Sequence, residues 1–253
     1  MSRFDDLQNG VVLAELAGYG NGYYCAKHGK GAAMVILGSY IIDDADNVPY
    51  PVEFVFKSDM EDYKRYIAEH VLAAALSGAK ICVSSLSTDT NKTIESFIAA
   101  QNAGADYVSY CAYSEMEMFT SKGLGVELCK KHNHPTLKTL ARQILDNVNI
   151  PCIFKLEILH SPDATRTVEL LADLGVAMIH VVTGSQPDSD GLKILSELAD
   201  KCEFLIGGGG VTDVKGARRI LSAGANAVSV GKAAMKDPCF LQNLQTQLFS
   251  SSG

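Results

Sequence analysis

Apolar and polar positions fall in blocks along the chain. Short, mainly apolar runs stand at 11–16, 33–37, 80–85, 106–110, 151–156, 177–182, 203–206 and 227–230. Short runs without alternation predict strands covered on both faces, as in a parallel sheet. Between them the apolar spacing changes to three and four. Over 60–77, Tyr63, Ile67, Val71, Leu72 and Ala75 share one face and predict a helix. Further helices are predicted at 92–103, at 135–147 with Pro135 in the first turn, and at 164–174, 190–199, 213–223 and 233–248. Gly78, Gly104, Gly175 and Gly224 stand where a helix must stop before the next strand. Strands followed in turn by a helix or crossover predict an α/β fold, a (β/α)8 TIM barrel closed on itself rather than a doubly wound sheet. The 253 residues suit one barrel domain spanning 1–253.

Two segments depart from the regular unit. Residues 38–59 contain Val52-Glu53-Phe54-Val55-Phe56, which reads as a hairpin after the second strand. Residues 111–134 form a long connection after the fourth strand, carrying Cys111, Tyr113, Glu115, Met116 and a Gly123-Leu124-Gly125 turn. In a barrel such a loop lies over the C-terminal face, where chemistry is built.

The end of the chain carries the most specific signal. Phe204-Leu205-Ile206 runs into Gly207-Gly208-Gly209-Gly210, and Val228-Ser229-Val230 runs into Gly231-Lys232. Each apolar run stops at glycine, and each glycine is expected to open a helix. Bare backbone N–H groups and two helix N-termini would then surround one point, an anion site sized for phosphate.

Composition narrows the classes. Apolar residues make up 47%, no run approaches a membrane span, and Met1 to Asp6 lack a signal-peptide pattern, so a soluble, cytoplasmic protein is expected. The seven cysteines include no C-x-x-C pair, which argues against a disulfide framework or a structural zinc site; no metal is expected. The net charge of −7 lacks the overall footprint of an RNA binder.

Polar residues near strand ends are the candidates for chemistry. Lys155 lies late in an apolar strand and is followed by Glu157 and His160; a buried ammonium there must be paired or functional. His180 interrupts the sixth strand. Ser84 and Ser85 end the third, and Tyr110 and Cys111 end the fourth. Cys111 leads into the long loop and is the candidate reactive thiol. His132 and His134 read as a solvated surface. Asp188 and Asp190 are placed to cap the next helix or reach the mouth.

With these residues in place, the chain resembles the flavin-dependent barrels of the tRNA-dihydrouridine synthase and dihydroorotate dehydrogenase group, and most of all the short archaeal proteins related to dihydrouridine synthases. Leu13-Ala14-Glu15-Leu16-Ala17-Gly18-Tyr19-Gly20-Asn21 is similar to the family's L-A-P-M-A-G-x-T-D, which lies along the flavin ring. The resemblance places the strand-3 glutamine near Ser84 or Ser85, the lysine beside flavin N1 on Lys155, and the histidine on His180. It places the phosphate loop on Gly207 to Val211 and the G-R-A motif on Gly231-Lys232-Ala233. It therefore implies FMN held by Ala14, Ala17, Gly18, Ser84, Lys155, His180, Gly208, Gly209, Gly231 and Lys232, with NAD(P)H as electron donor. Cys111, Lys155 and His180 would be catalytic, and the substrate a small unsaturated or pyrimidine-like molecule. The N-x-G-C-P motif reads Val108-Ser109-Tyr110-Cys111-Ala112, Glu15 replaces a proline, and the helical RNA-binding domain of the synthases is missing, which speaks against tRNA as substrate. A homodimer is left open.

Two other functions compete. One is a lyase or aldolase using Lys155 as a Schiff-base amine on a phosphorylated substrate, which needs burial to depress the lysine pKa. The other is a flavin- or phosphate-binding barrel that has lost catalysis.

Overall fold

The computed structural model describes residues 3–44, 48–57, 60–158, 161, 163–184 and 189–250. The barrel strands are β1 (Val11–Leu13), β2 (Met34–Ile42), β3 (Lys80–Leu86), β4 (Tyr107–Ala112), β5 (Cys152–Glu157), β6 (Met178–Val182), β7 (Phe204–Gly208) and β8 (Ala227–Val230). Each pairs in parallel with its neighbours in chain order, and β1 pairs with both β8 and β2, so the sheet closes. The helices are α1 (Gly22–His28), α2 (Met60–Ala74), α3 (Thr90–Asn102), α4 (His134–Asn147), α5 (Ala164–Asp173), α6 (Ser189–Leu198), α7 (Val214–Ser222) and α8 (Phe240–Phe249). The single TIM barrel expected from the apolar pattern is the observed fold. No helix among the described residues is long and apolar enough to cross a membrane.

Successive residues of a strand point to opposite faces, and this sorts the core into two clusters. One face of the strands packs outward against the helices: Leu13, Val35, Val83, Val108, Phe154, Ile179, Leu205 and Val228 belong to this cluster. The other face fills the barrel: Val12, Met34, Ile36, Cys82, Tyr107, Ile153, Met178, Phe204, Ile206 and Ala227 form a separate apolar cluster, joined by Phe4 and Leu7 from the N-terminal segment. Counting on by twos from these inward positions reaches Ser84, Ser109, Cys111, Lys155, His180, Gly208 and Ser229. The barrel is thus apolar at its N-terminal end and polar toward its C-terminal end.

Several local expectations are corrected. Val52–Phe54 forms a 3₁₀ turn and Val55–Phe56 a short strand parallel to the end of β2, pairing Ile41 with Val55, so there is no hairpin. The helix expected at 233–248 is interrupted: Ala234–Lys236 is a separate 3₁₀ turn and α8 begins only at Phe240, beyond Pro238. Leu72 is 75% exposed, on the solvent side of α2. The 111–134 connection holds a helical turn at Glu117–Thr120 and 3₁₀ turns at Gly125–Cys129 and Lys131–Asn133. Helix α1, unmarked by any apolar period, starts at Asn21, whose side chain accepts from the Tyr24 N–H at 2.9 Å.

Phe4 stops the N-terminal end of the barrel. It is 1% exposed and packs edge-on against Phe204, with ring centroids 5.4 Å apart. Phe4→Ala is expected to cost about 3–5 kcal/mol, as for a large aromatic lost from a core. Urea unfolding followed by circular dichroism checks this; a change within about 0.5 kcal/mol, the range of an ordinary surface substitution, would mean the plug contributes little.

Candidate active site

Glu15 follows β1 and Lys155 lies on β5, strands that sit diametrically opposite in the closed order. Their side chains meet across the mouth, with Lys155 Nζ 3.0 Å from Glu15 Oε1. Both residues are buried, at 8% and 7% exposure. The contact is a buried ion pair, and among the described residues no donor other than Lys155 reaches either carboxylate oxygen of Glu15. Burial opposes the charge on Lys155, but its neighbours together outweigh it, the Glu15 carboxylate foremost through its charge and its hydrogen bond, and hold the lysine above its ordinary range. The Tyr113 ring centroid lies 5.6 Å from Nζ, bringing the long loop over the pair. Lys155 is therefore an ammonium at neutral pH. The depressed, nucleophilic lysine expected for a Schiff base is corrected by this pairing.

His180 on β6 is the register partner of Lys155 and is fully buried. Its Nε2 lies 2.7 Å from Ser229 Oγ on β8, two strands away. The contact passes β7 at Gly208, where a Cβ would stand 2.0 Å from Ser229 Oγ. Burial, and then the charge of Lys155, hold His180 well below the ordinary imidazole range, so it is neutral. Ser84 points inward and shares a 2.7 Å hydrogen bond with Ser39, whereas Ser85 points outward to Ser96 on α3. Cys111 points inward near Lys155; burial pushes its thiol up, and Lys155 only partly offsets this. It is a thiol, not the reactive thiolate that its place at a strand end suggested. Tyr110 faces the helix layer against Phe154.

The glycine turns stand side by side, because Gly208 pairs with Ser229. They do not open helices directly. After β7, helix α7 starts at Val214, and its first turn is already capped by Asp213, which accepts from the Gly216 N–H at 2.8 Å. After β8, only the 3₁₀ turn precedes α8. The two helix dipoles invoked for the anion site are therefore absent from it. What remains is backbone: among the described residues, the N–H groups of Gly209, Gly210, Lys232 and Ala233 donate to no turn or cap acceptor. Gly209 has φ +116°, and a Cβ there would lie 2.5 Å from the Gly184 carbonyl oxygen. Lys232 is exposed at the rim, and Gly231 faces Leu16.

Other candidates separate. The Ala14 N–H donates to Val230, tying β1 to β8. Ala17 is exposed, and Gly18 is turned against Pro51. His132 is exposed, but His134 is buried with Nε2 3.1 Å from Thr167 Oγ1, which corrects its surface assignment. His160 and Asp188 lie outside the described residues. Among those described, no group of His, Cys, Asp and Glu side chains is placed to hold a metal ion. Three contributors escaped the sequence reading: Ser39, Ser109 and Ser229. Inward parity on β4 and β8 was the signal that could have found the last two.

Comparison with known proteins gives two kinds of likeness. A family model described as histidine biosynthesis protein matches residues 155–252, from Lys155 through α8. No curated protein matches the chain. Among solved structures, the tryptophan synthase α-subunit from the hyperthermophile Pyrococcus furiosus is similar, with TM-score 0.60, 15% identity, and coverage of 96% of this chain and 97% of that one. The tryptophan synthase complex from Pyrococcus furiosus gives TM-score 0.57 at 14% identity, with the same coverage. At these identities the likeness is one of fold.

These findings overturn the expectation of an FMN-dependent oxidoreductase of the dihydrouridine synthase or dihydroorotate dehydrogenase type, and with it the flavin and NAD(P)H roles. The matched family and the similar structures are not flavin enzymes. Lys155, which the resemblance set beside the flavin ring, pairs across the mouth with Glu15, the residue that departs from that family's pattern.

Removing one partner of this pair strands a buried charge. Lys155→Met is expected to destabilise the protein by about 3–5 kcal/mol, with most of that recovered in Glu15→Gln/Lys155→Met. The contribution is complete at neutral pH and is lost as pH rises through the raised folded-state value of Lys155, above about 10.4. Denaturant midpoints from pH 7 to 11 for wild type and double variant check both signs. His180 behaves oppositely. The unfolded chain protonates it below about 6.5 while the fold keeps it neutral, so stability falls on acidification, and His180→Gln is expected to flatten that limb between pH 7 and 5.

Proposed function

We propose that this chain is an enzyme of the isomerase or lyase kind, acting on a small phosphorylated metabolite laid across the barrel mouth. The observation that carries the reading is the buried Glu15–Lys155 pair spanning that mouth, its carboxylate met among the described residues by no donor but Lys155, beside the two glycine turns. Support comes from the histidine biosynthesis match, which covers Lys155, His180 and both turns, and from the likeness in fold to the tryptophan synthase α-subunit. The lyase on a phosphorylated substrate, weighed above as an alternative, is the reading these comparisons favour.

The roles follow from charge and position. The N–H groups of Gly209, Gly210, Lys232 and Ala233, with the Lys232 ammonium, would hold the phosphate. Glu15, a carboxylate met by no donor but Lys155, would accept a proton from the substrate. Lys155, already charged, would hold the oxyanion that forms on an adjacent carbonyl oxygen. In an isomerisation the proton returns to a neighbouring carbon. In a lyase step the electron pair of the broken bond departs with the leaving group, which takes up the proton. An imine at Lys155 would first require the ligand to displace Glu15 and remove a proton, so acid–base chemistry suits the site better than a Schiff base.

Calorimetric titration with inorganic phosphate and glycerol phosphate tests the anion site. Wild type is expected to bind both, and Lys232→Ala to weaken both about tenfold, the equivalent of one charged contact of about 1.4 kcal/mol. Glu15→Gln is expected to retain phosphate binding and lose about 10²–10⁴ in turnover once a substrate is in hand. A wild-type protein that binds no phosphate would remove the reading.

A further inference from the structure

The inward face of the barrel carries buried polar atoms without protein partners: Ser109 Oγ, His180 Nδ1 and Glu15 Oε2, whose fellow oxygen meets Lys155. Most buried polar groups are satisfied, so a cluster of exceptions at one end of the barrel needs a reason. His180 allows the sharpest argument, because its other nitrogen has a single, identified partner.

Ser229 Oγ has one hydrogen-bond partner among the described residues, His180 Nε2 at 2.7 Å. A neutral imidazole carries one N–H and one bare nitrogen. Suppose the proton sits on Nε2 and is donated to Ser229. The serine O–H then has no acceptor, and bare Nδ1 has no donor, leaving two unmet groups. Suppose instead that Ser229 donates to Nε2. The ring proton then sits on Nδ1, and one unmet group remains. An unmet buried group is destabilising, so the second arrangement is favoured. Gly208 makes it possible, since a Cβ at that position would displace the Ser229 hydroxyl.

We infer that His180 presents a neutral Nδ1–H donor to a ligand oxygen held beside Lys155, and that Ser229 is the positioning residue that sets this tautomer. A neutral imidazole donor polarises a carbonyl without giving up its proton. Lys155, its register partner, supplies the charge, and Glu15 occupies the ammonium until the ligand oxygen takes its place. His180 is then an electrophilic group, not a base. Among the described residues, the charged and titratable groups facing this end of the barrel are Lys155, Glu15 and Cys111, with Tyr113 over the pair and Tyr50 beside Glu15 and Cys111. The inference rests on the reading of the mouth as a site for a phosphorylated carbonyl compound.

Nitrogen-15 NMR of the His180 ring decides the tautomer in the protein as isolated. Nδ1 is expected to be protonated and Nε2 bare. In Ser229→Ala the proton is expected to move to Nε2, and 2-phosphoglycolate is expected to bind about tenfold more weakly, one hydrogen bond's worth, while inorganic phosphate binds as before. A protonated Nε2 in the wild type overturns the inference, as does an unchanged ratio of phosphoglycolate to phosphate affinity in a folded Ser229→Ala. If that variant does not fold, the wild-type ring nitrogens alone settle the matter. Loss of inorganic phosphate binding would defeat the preceding reading without moving those nitrogens, so the two failures are distinguishable.

Discussion

A lysine ammonium inside a barrel must be answered by an anion, and here the answer comes from the far side of the mouth. Lys155 on β5 and Glu15 beyond β1 are separated by half the circumference of the sheet, yet they are one electrostatic unit. Much of the mouth chemistry follows from that unit. It keeps Lys155 charged and opposes protonation of His180, while burial holds the Cys111 thiol up. It also leaves a carboxylate under the loop that carries Tyr113, engaged by Lys155 through one oxygen and with the other unmet. A site of this kind is poised toward ligands that bring both an oxygen for the lysine and a donor for the glutamate.

The rest of the barrel supports this by contrast. Below the polar layer the inward side chains are apolar and close-packed, ending at Phe4. Low polarity beneath the pair strengthens the attraction between its members and raises the cost of separating them from one another. The change from apolar to polar occurs within each strand at a spacing of two, as on β5, where Ile153 gives way to Lys155.

The barrel itself was legible in the sequence because doubly buried strands leave long apolar runs and helix exits leave glycines. Boundaries failed where backbone chemistry overrode the apolar pattern, as at Pro238, and where a short helix was set by its cap alone, as at Asn21. The inward positions of Lys155, His180 and Cys111 were recoverable from period two. Their states were not, because a lysine's charge depends on a glutamate 140 positions away in the chain. The flavin reading failed for the same reason. Strand-end residues of one type serve different chemistries in different barrels, and only the partner of each residue tells them apart. The histidine biosynthesis model matches residues 155–252, which takes in Lys155, His180 and both glycine turns but leaves Glu15 outside it.

The run from Gly207 to Gly210 reads as a single ligand loop, yet its members answer to different demands. Gly208 is bare so that a ring on one strand can reach a hydroxyl two strands along, which is a requirement internal to the protein. Substitution there would be rejected in every descendant of this chain whatever small molecule the barrel came to accept. An invariant glycine at this point would therefore chart the architecture of the wall, and only its neighbours Gly209 and Gly210 would record what the chamber was made to hold.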